Sequence, residues 1–340
     1  MENLGPTLTI LLTLVRIVLV MTIALLSVPV MVWVERKVSG HIQNRHGPLY
    51  VGPIGTLQPF ADALKLLLKE DITPANVDKT LYYLAPLMAF VPALMTFSVI
   101  PFGPWLKIAD VNIGVVLILS VSSLGIYGLV MAGWSSNNKY ALLGSLRSSA
   151  QMISYEIALG LSVIGVLMHS RSLSLVQIVQ RQAETTWFVI PQFLGFVLFT
   201  VAAFAETNRL PFDLPEAEQE LVAGYHVEYS SMKFAMFFMS EYVAMLSQAC
   251  VLTVLFLGGW LPFPIIGPLV EGLLPAVVVE WVMPLFWFFL KVGGFMFFYV
   301  WVRWTFPRLR YDQLMALGWK VLLPLALFNV FLTGFIRLSL

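Results

Sequence analysis

Three carboxylates sit where an apolar chain tends to exclude them. Glu156 follows Ser154 and Tyr155 inside one apolar run, Glu206 closes another, and Glu241 lies within a third. Gln248 follows Glu241 by seven residues and so shares its helical face. An ionised carboxylate at the centre of a membrane helix costs about 2.5–3.5 kcal/mol even on a lenient insertion scale. Keeping three requires a polar interior, protonation or partners, and disfavours placement against lipid. Two roles stay open for each: hydrogen-bonded glue between helices, or a group that holds and passes a proton. Arg16 and Lys291 are charges inside apolar runs that could serve as counter-ions, and the sequence does not pair them.

The densest cluster lies between two apolar runs. Within ETNRLPFDLPEAEQELVAGYHVEYS, the acids Asp213, Glu216, Glu218, Glu220 and Glu228 face a single base, Arg209. Asp213, Leu214 and Pro215 read as a helix start, which accounts for Glu216 and Glu218 as acids favoured by the helix dipole. It does not account for Glu220, Glu228 or the junction with Glu206. Carboxylates packed this closely cannot all ionise independently at neutral pH, so they can hold protons and respond to a nearby charge change. Arg303, Arg308 and Arg310, in VRWTFPRLRYDQLM, either pair with these acids or anchor the chain at the membrane surface.

A second charged stretch, WVERKVSGHIQNRHGPLYVGP, opens with Glu35, Arg36 and Lys37, which are expected to end the first span at the interface. Gly47–Pro48 and Gly52–Pro53 break any continuous helix there, leaving an irregular surface suited to docking a partner. Residues 55–70 then read as an amphipathic helix. Leu57, Phe60, Leu64 and Leu67 fall on one face, and Gln58, Asp62, Lys65 and Lys69 on the other. Such a helix lies in the membrane interface. It is either a surface anchor or the wall of a lateral opening for a lipid-soluble molecule.

The elements that position these residues are set by composition. Of 340 residues, 59% are hydrophobic and 11% charged, and mean hydropathy is +0.85. Too few charges remain to cover a water-soluble surface, and a disordered chain is excluded on the same ground. Net charge is +1, which gives no field for nucleic acid. The single cysteine, Cys250, excludes a disulfide framework and an iron–sulfur cluster held by this chain alone, and the four histidines show no metal-ligand spacing.

Eight apolar stretches are long enough to span: 8–34, 81–102, 113–134, 151–169, 187–205, 234–258, 277–302 and 319–338. The odd-numbered loops carry fourteen Lys and Arg, the even-numbered loops and tails four. The positive-inside rule places the odd loops in the cytoplasm and both termini outside. The expected architecture is an all-α, polytopic membrane protein: one domain over 1–340, with cytoplasmic loops at 35–80 and 207–233. No internal repeat supports an inverted-repeat transporter.

Four stretches together resemble the membrane subunit 1 family of respiratory complex I, the NADH-quinone oxidoreductase. They are ERKVSGHIQNRHGPLYVGPIGTLQPFADALKLLLKED, SNNKYALLGSLRSSAQMISYE, ETNRLPFDLPEAEQELVAGYHVEYSSMKFAMFFMSEY and RWTFPRLRYDQLMALGWK. The resemblance covers essentially the whole chain. It implies a membrane subunit joining the soluble electron-transfer arm to the proton-pumping arm, in the bacterial plasma membrane and inactive alone. Glu35, Arg36, Arg45, Phe60, Asp62 and Lys65 would lie near the quinone passage. Glu206, Asp213, Glu216, Glu218, Glu220 and Glu228 would start an acidic channel, continued by Glu156 and Glu241, with Arg209 and Arg303 as basic partners. The third span offers Ser122, Ser123 and Tyr127 but no carboxylate to that route. The resemblance further implies quinone (ubiquinone or menaquinone) as substrate, no cofactor in this chain, and NAD(H), FMN and iron–sulfur clusters in partners. Those partners would be iron–sulfur and 49-kDa-type soluble-arm subunits and neighbouring membrane-arm subunits. Related complexes with another electron donor use a similar chain. Glu280 has no assigned role.

Overall fold

Long charge-free runs can satisfy their backbone polar groups in a bilayer only as helices. The computed structural model describes residues 6–213, 223–264 and 266–339, and its regular elements there are all helical. In chain order these are α1 (Pro6–Ile42), α2 (Gln58–Leu68), α3 (Lys79–Met95), α4 (Gly114–Ser135), α5 (Lys139–Ser170) and α6 (Leu175–Glu184). There follow α7 (Phe193–Glu206), α8 (Ser231–Phe256), α9 (Ile266–Glu271), α10 (Ala276–Trp281), α11 (Met283–Thr305), α12 (Tyr311–Ala316) and α13 (Leu323–Ser339). A π-helical turn, Leu317–Leu322, makes α12 and α13 one rod. Seven rods among the described residues are long and apolar enough to cross a membrane.

The remaining expected span, 187–205, is shorter as a helix. α7 has 14 residues, about 21 Å against a hydrocarbon core of about 30 Å. Residues 187–192 approach it through turns, and Gln192 at its start is buried. The Gln192 amide donates to Thr333 Oγ1 at 2.8 Å and accepts from Asn329 Nδ2 at 3.0 Å. These bonds tie the short helix to α13.

Two helices overrun their expected ends. Glu35, Arg36 and Lys37 do not terminate α1, which continues to Ile42. Charged residues on a helix leaving the bilayer do not break it. The break comes at Asn44, with φ +52°, just before Gly47–Pro48. The fourth spanning helix likewise begins at Lys139 rather than Gln151, capped by Asn138, whose side chain accepts from Tyr140 N at 2.9 Å. With 37 residues α1 is about 55 Å long, well beyond a bilayer core. Both extensions rise at the same end of the bundle, called here the charged end. The loop after α1 folds back on itself there. Gly55 has φ +77°, and a Cβ on it would lie 2.3 Å from Pro48 O.

α2 is amphipathic over 58–68, within the expected 55–70. Leu57, Phe60, Leu64 and Leu67 are all exposed, while Gln58 and Asp62 turn toward α1. α8 is the central rod, packed against α1, α2, α3, α6, α7 and α11. Lys291 on α11 is no counter-ion for the buried acids. Its Nζ donates to the carbonyls of Leu257, Gly259 and Leu261 at 2.6–3.0 Å, satisfying the chain leaving α8. Arg16 reaches Lys107 O. Glu280 is exposed on α10.

α3 and α4 approach closely because Gly128 has no side chain. A Cβ there would stand 2.6 Å from Ala89 N. Gly128→Ala should therefore destabilise by about 1–3 kcal/mol through overpacking. Gly160→Ala, with open space around the new methyl, should be neutral or slightly stabilising. Thermal unfolding midpoints of the two purified variants check the contrast.

Candidate functional site

Two polar sites lie in the bundle, and they satisfy their carboxylates differently. In the first, the α1 extension carries Glu35 inward against α8 and α11. Its side chain is 9% exposed and that of Arg209 is 7% exposed. Arg209 Nη1 lies 3.4 Å from Glu35 Oε2, Tyr242 Oη donates to the same oxygen at 2.7 Å, and Arg303 Nη1 donates to Oε1. The Arg209 guanidinium also stacks 4.1 Å over the Tyr242 ring. Burial works against its charge, but Tyr242, Glu35 and Glu241 outweigh burial and hold Arg209 above even the usual arginine range. One carboxylate thus joins four segments: α1, the chain after α7, α8 and α11. Next to it, Arg36 pairs with Asp62, which also accepts from Gln58, fixing α2 to α1.

The second site is a cavity of about 70 Å³ between α3, α4, α7 and α8, with room for a few waters. Glu206, Glu241, Gln248, Ser122, Tyr225 and Asn208 contribute to its wall. Gln248 Nε2 donates to Glu206 Oε2 at 2.8 Å, and Tyr225 Oη donates to Glu241 Oε1 at 3.0 Å. Ser122 lies beside Glu206, Ser123 beside Glu156, and Glu156 is within electrostatic reach of Glu206. No ion pair reaches Glu206 or Glu156 among the described residues. The third span thus adds hydroxyls where it lacks a carboxylate, while Tyr127 faces outward, 60% exposed.

The chain after α7 is held in place by an amide. Gln151 Nε2 reaches Ala205 O and Phe212 O, each at 2.8 Å, and Asn208 Oδ1 at 3.3 Å. Arg308 pairs with Asp213 at 3.0 Å. Glu228 accepts from Asn138 Nδ2 at 2.7 Å, and its carbonyl accepts from Tyr82 Oη at 2.6 Å. Glu216, Glu218 and Glu220, with the expected helix start at 213–215, fall in or run into 214–222, outside the described residues.

The structure therefore brings together Glu35, Arg209 and Arg303, then Arg36 with Asp62, then Glu156, Glu206 and Glu241. Arg303 meets Glu35 rather than the channel acids. Arg45 lines a separate recess with Lys37, His41 and His46, while Lys65 borders an open groove toward His226. Phe60 lies on the exposed face of α2. Sequence reasoning misses Tyr242, Tyr225 and Gln151. Gln151 carries a usable signal, an amide at the start of an apolar run. Tyr242 carries none, since its partner is 207 residues away.

Fold and site define a polytopic helical membrane protein with an ion-paired carboxylate, Glu35, and a second group of carboxylates beside a cavity, and no metal-binding group of three or more His, Cys, Asp or Glu among the described residues. The chain belongs to the NADH dehydrogenase family, whose model matches residues 15–334. It is 52% identical to an NADH-quinone oxidoreductase subunit of Koribacter versatilis (strain Ellin345), covering 95% of this chain and 96% of that protein. Identity to the corresponding NADH-quinone oxidoreductase subunit of Rhodospirillum rubrum is 51%, covering 91% and 88%. Identity to NADH-ubiquinone oxidoreductase chain 1 of Chondrus crispus is 50%, covering 96% and 97%.

Removing one member of a buried ion-paired group leaves the others uncompensated. Glu35→Ala should cost about 3–5 kcal/mol, read as a lower thermal inactivation midpoint of the assembled complex. Tyr242→Phe removes a single donor to a charged group and should cost less, about 1.5–3 kcal/mol. An unchanged midpoint for Glu35→Ala would contradict the role given to this carboxylate.

Proposed function

We propose that this chain is the membrane subunit of a proton-translocating NADH:quinone oxidoreductase that forms part of the quinone chamber and the acidic route out of it. It works at the junction of the soluble and membrane arms, as one subunit of an oxidoreductase complex. The observation that carries the coupling role is the pair of carboxylate centres, separated by Arg209. Arg209 contacts Glu35 on one side and lies within electrostatic reach of Glu241 on the other.

Quinone reaches the charged end laterally, past the exposed apolar face of α2 and the Glu35, Arg36 and Asp62 group. Electrons arrive through partner subunits that carry FMN and iron–sulfur clusters. Reduction of quinone to quinol takes up two electrons and two protons. The charge change at the chamber then alters proton occupancy in Asp213, Glu216, Glu218, Glu220 and Glu228, and onward in Glu206, Glu241 and Glu156. Arg209 and Arg303 fix the chamber side electrostatically, and Gln248, Ser122 and Tyr225 orient the channel carboxylates without neutralising them. The charged end faces the cytoplasm of a bacterial cell, both termini lie outside, and soluble-arm subunits dock on the loops at 35–80 and 207–233.

Glu206→Gln and Glu220→Gln in the assembled complex test this reading. Quinone reduction coupled to proton pumping should fall by about tenfold, some 1.4 kcal/mol at the limiting step, in at least one of them. Normal pumping in both, with normal assembly, would overturn the channel role. Co-purification of a flavoprotein subunit that oxidises NADH checks the electron donor, and its absence would overturn that part.

A further inference from the structure

Burial does not hold α2 in place. Of its eleven residues only Pro59 is buried, and Phe60, Leu64 and Leu67 on its apolar face are exposed. An element with so few buried apolar contacts has low local stability unless something else fixes it. Two polar attachments do so. Toward α1, Arg36 pairs with Asp62. At the opposite end, the start of α8 grips α2 and the chain that follows it.

Three side chains make that grip. Ser231 Oγ donates to Leu66 O at 3.0 Å. Ser230 Oγ accepts from Ile72 N at 3.0 Å and donates to Ile72 O at 3.3 Å. Lys233 Nζ lies 2.9 Å from Asp71 Oδ1 and donates to Thr73 Oγ1 at 3.1 Å. Leu66, Ser230 and Ser231 also line the open groove between α2 and 223–234. The clasp therefore sets how far α2 stands from α8.

Lys233 is costly where it stands. It lies in the first turn of α8, where the helix dipole favours an anion and opposes a cation. It is also buried, and lysine is almost never buried unless paired. Its charge is met by Asp71 and by the rings of Tyr82 and Tyr83 on α3, each centred 4.7 Å from Nζ. Tyr83 Oη shares a further hydrogen bond with Thr73 Oγ1 at 3.1 Å. Glu228 is taken by Asn138 and Glu70 is exposed, so Asp71 is the acid that meets this lysine. The dipole gives α8 nothing for such a cation. What the cation does is fasten 71–73 to α3 and α8.

We propose that Lys233 is a positioning residue for quinone, holding α2 through Asp71 and the adjoining serine contacts at the spacing that quinone passage requires. This rests on the reading above that quinone moves past the apolar face of α2. Two variants of the assembled complex in nanodiscs test it. Lys233→Met keeps the carbon stem, and Asp71→Asn alters a half-exposed side chain. Hydrogen exchange over 58–73, followed by mass spectrometry, should quicken by about tenfold. KM for a decyl-tailed quinone, of whichever type the unsubstituted complex reduces, should rise about fivefold while kcat stays within about twofold. Lys233→Arg should restore both. Exchange unchanged in whichever variant assembles would show that the clasp does not hold α2 and would overturn the proposal. Faster exchange with an unchanged KM would leave the clasp standing but overturn its part in quinone passage, and with it the path along α2. A lower thermal midpoint with both readings unchanged would make Lys233 a residue of the fold alone and equally overturn the proposal.

Discussion

A carboxylate inside an apolar bundle needs donors from other elements, and the nature of those donors decides what it can do. Glu35 is met by two guanidiniums and a phenol drawn from three other segments. Removing its charge would leave Arg209 and Arg303 facing one another, so this group is held as an ion pair. Glu206 accepts from the Gln248 amide, with Ser122 beside it and a cavity with room for water, and has no ion pair among the described residues. Its charge can change without stranding a cation. The remaining architecture follows from keeping these two centres close but distinct.

The helices that overrun the bilayer make this possible. α1 must continue as a helix past the hydrocarbon for Glu35 to face α8 and α11 rather than water. The short α7 ends in the interior, so Glu206 enters the cavity and the chain beyond turns back under Gln151. Arg209 then reaches Glu35 while remaining near Glu241. A shorter α1 or a longer α7 would separate the centres.

Much of the scaffold is legible from residue type and period. The apolar stretches, the amphipathic α2 and the shared face of Glu241 and Gln248 depend on local spacing, which a sequence carries directly. The pairings are not legible. Glu35 and Arg209 lie 174 residues apart, and Arg303 could equally have met the acids of the 207–233 segment. A run of charge resembles a boundary and so misplaces the end of α1, although only Asn44 and the Gly–Pro pairs break the helix. Lys291 resembles a counter-ion because a lone cation in an apolar run suggests a lone anion. Three backbone carbonyls meet the same need.

The central claim is that Glu206 changes protonation when quinone is reduced, whereas Glu35 stays in its ion pair. Redox-difference infrared spectroscopy of the assembled complex in H₂O and D₂O reads carboxyl groups directly. The account expects a deuterium-sensitive carboxylic-acid band that appears or disappears on quinone reduction, is lost in Glu206→Gln, and persists in a Glu35 variant that still assembles. A difference spectrum unchanged by Glu206→Gln would contradict it.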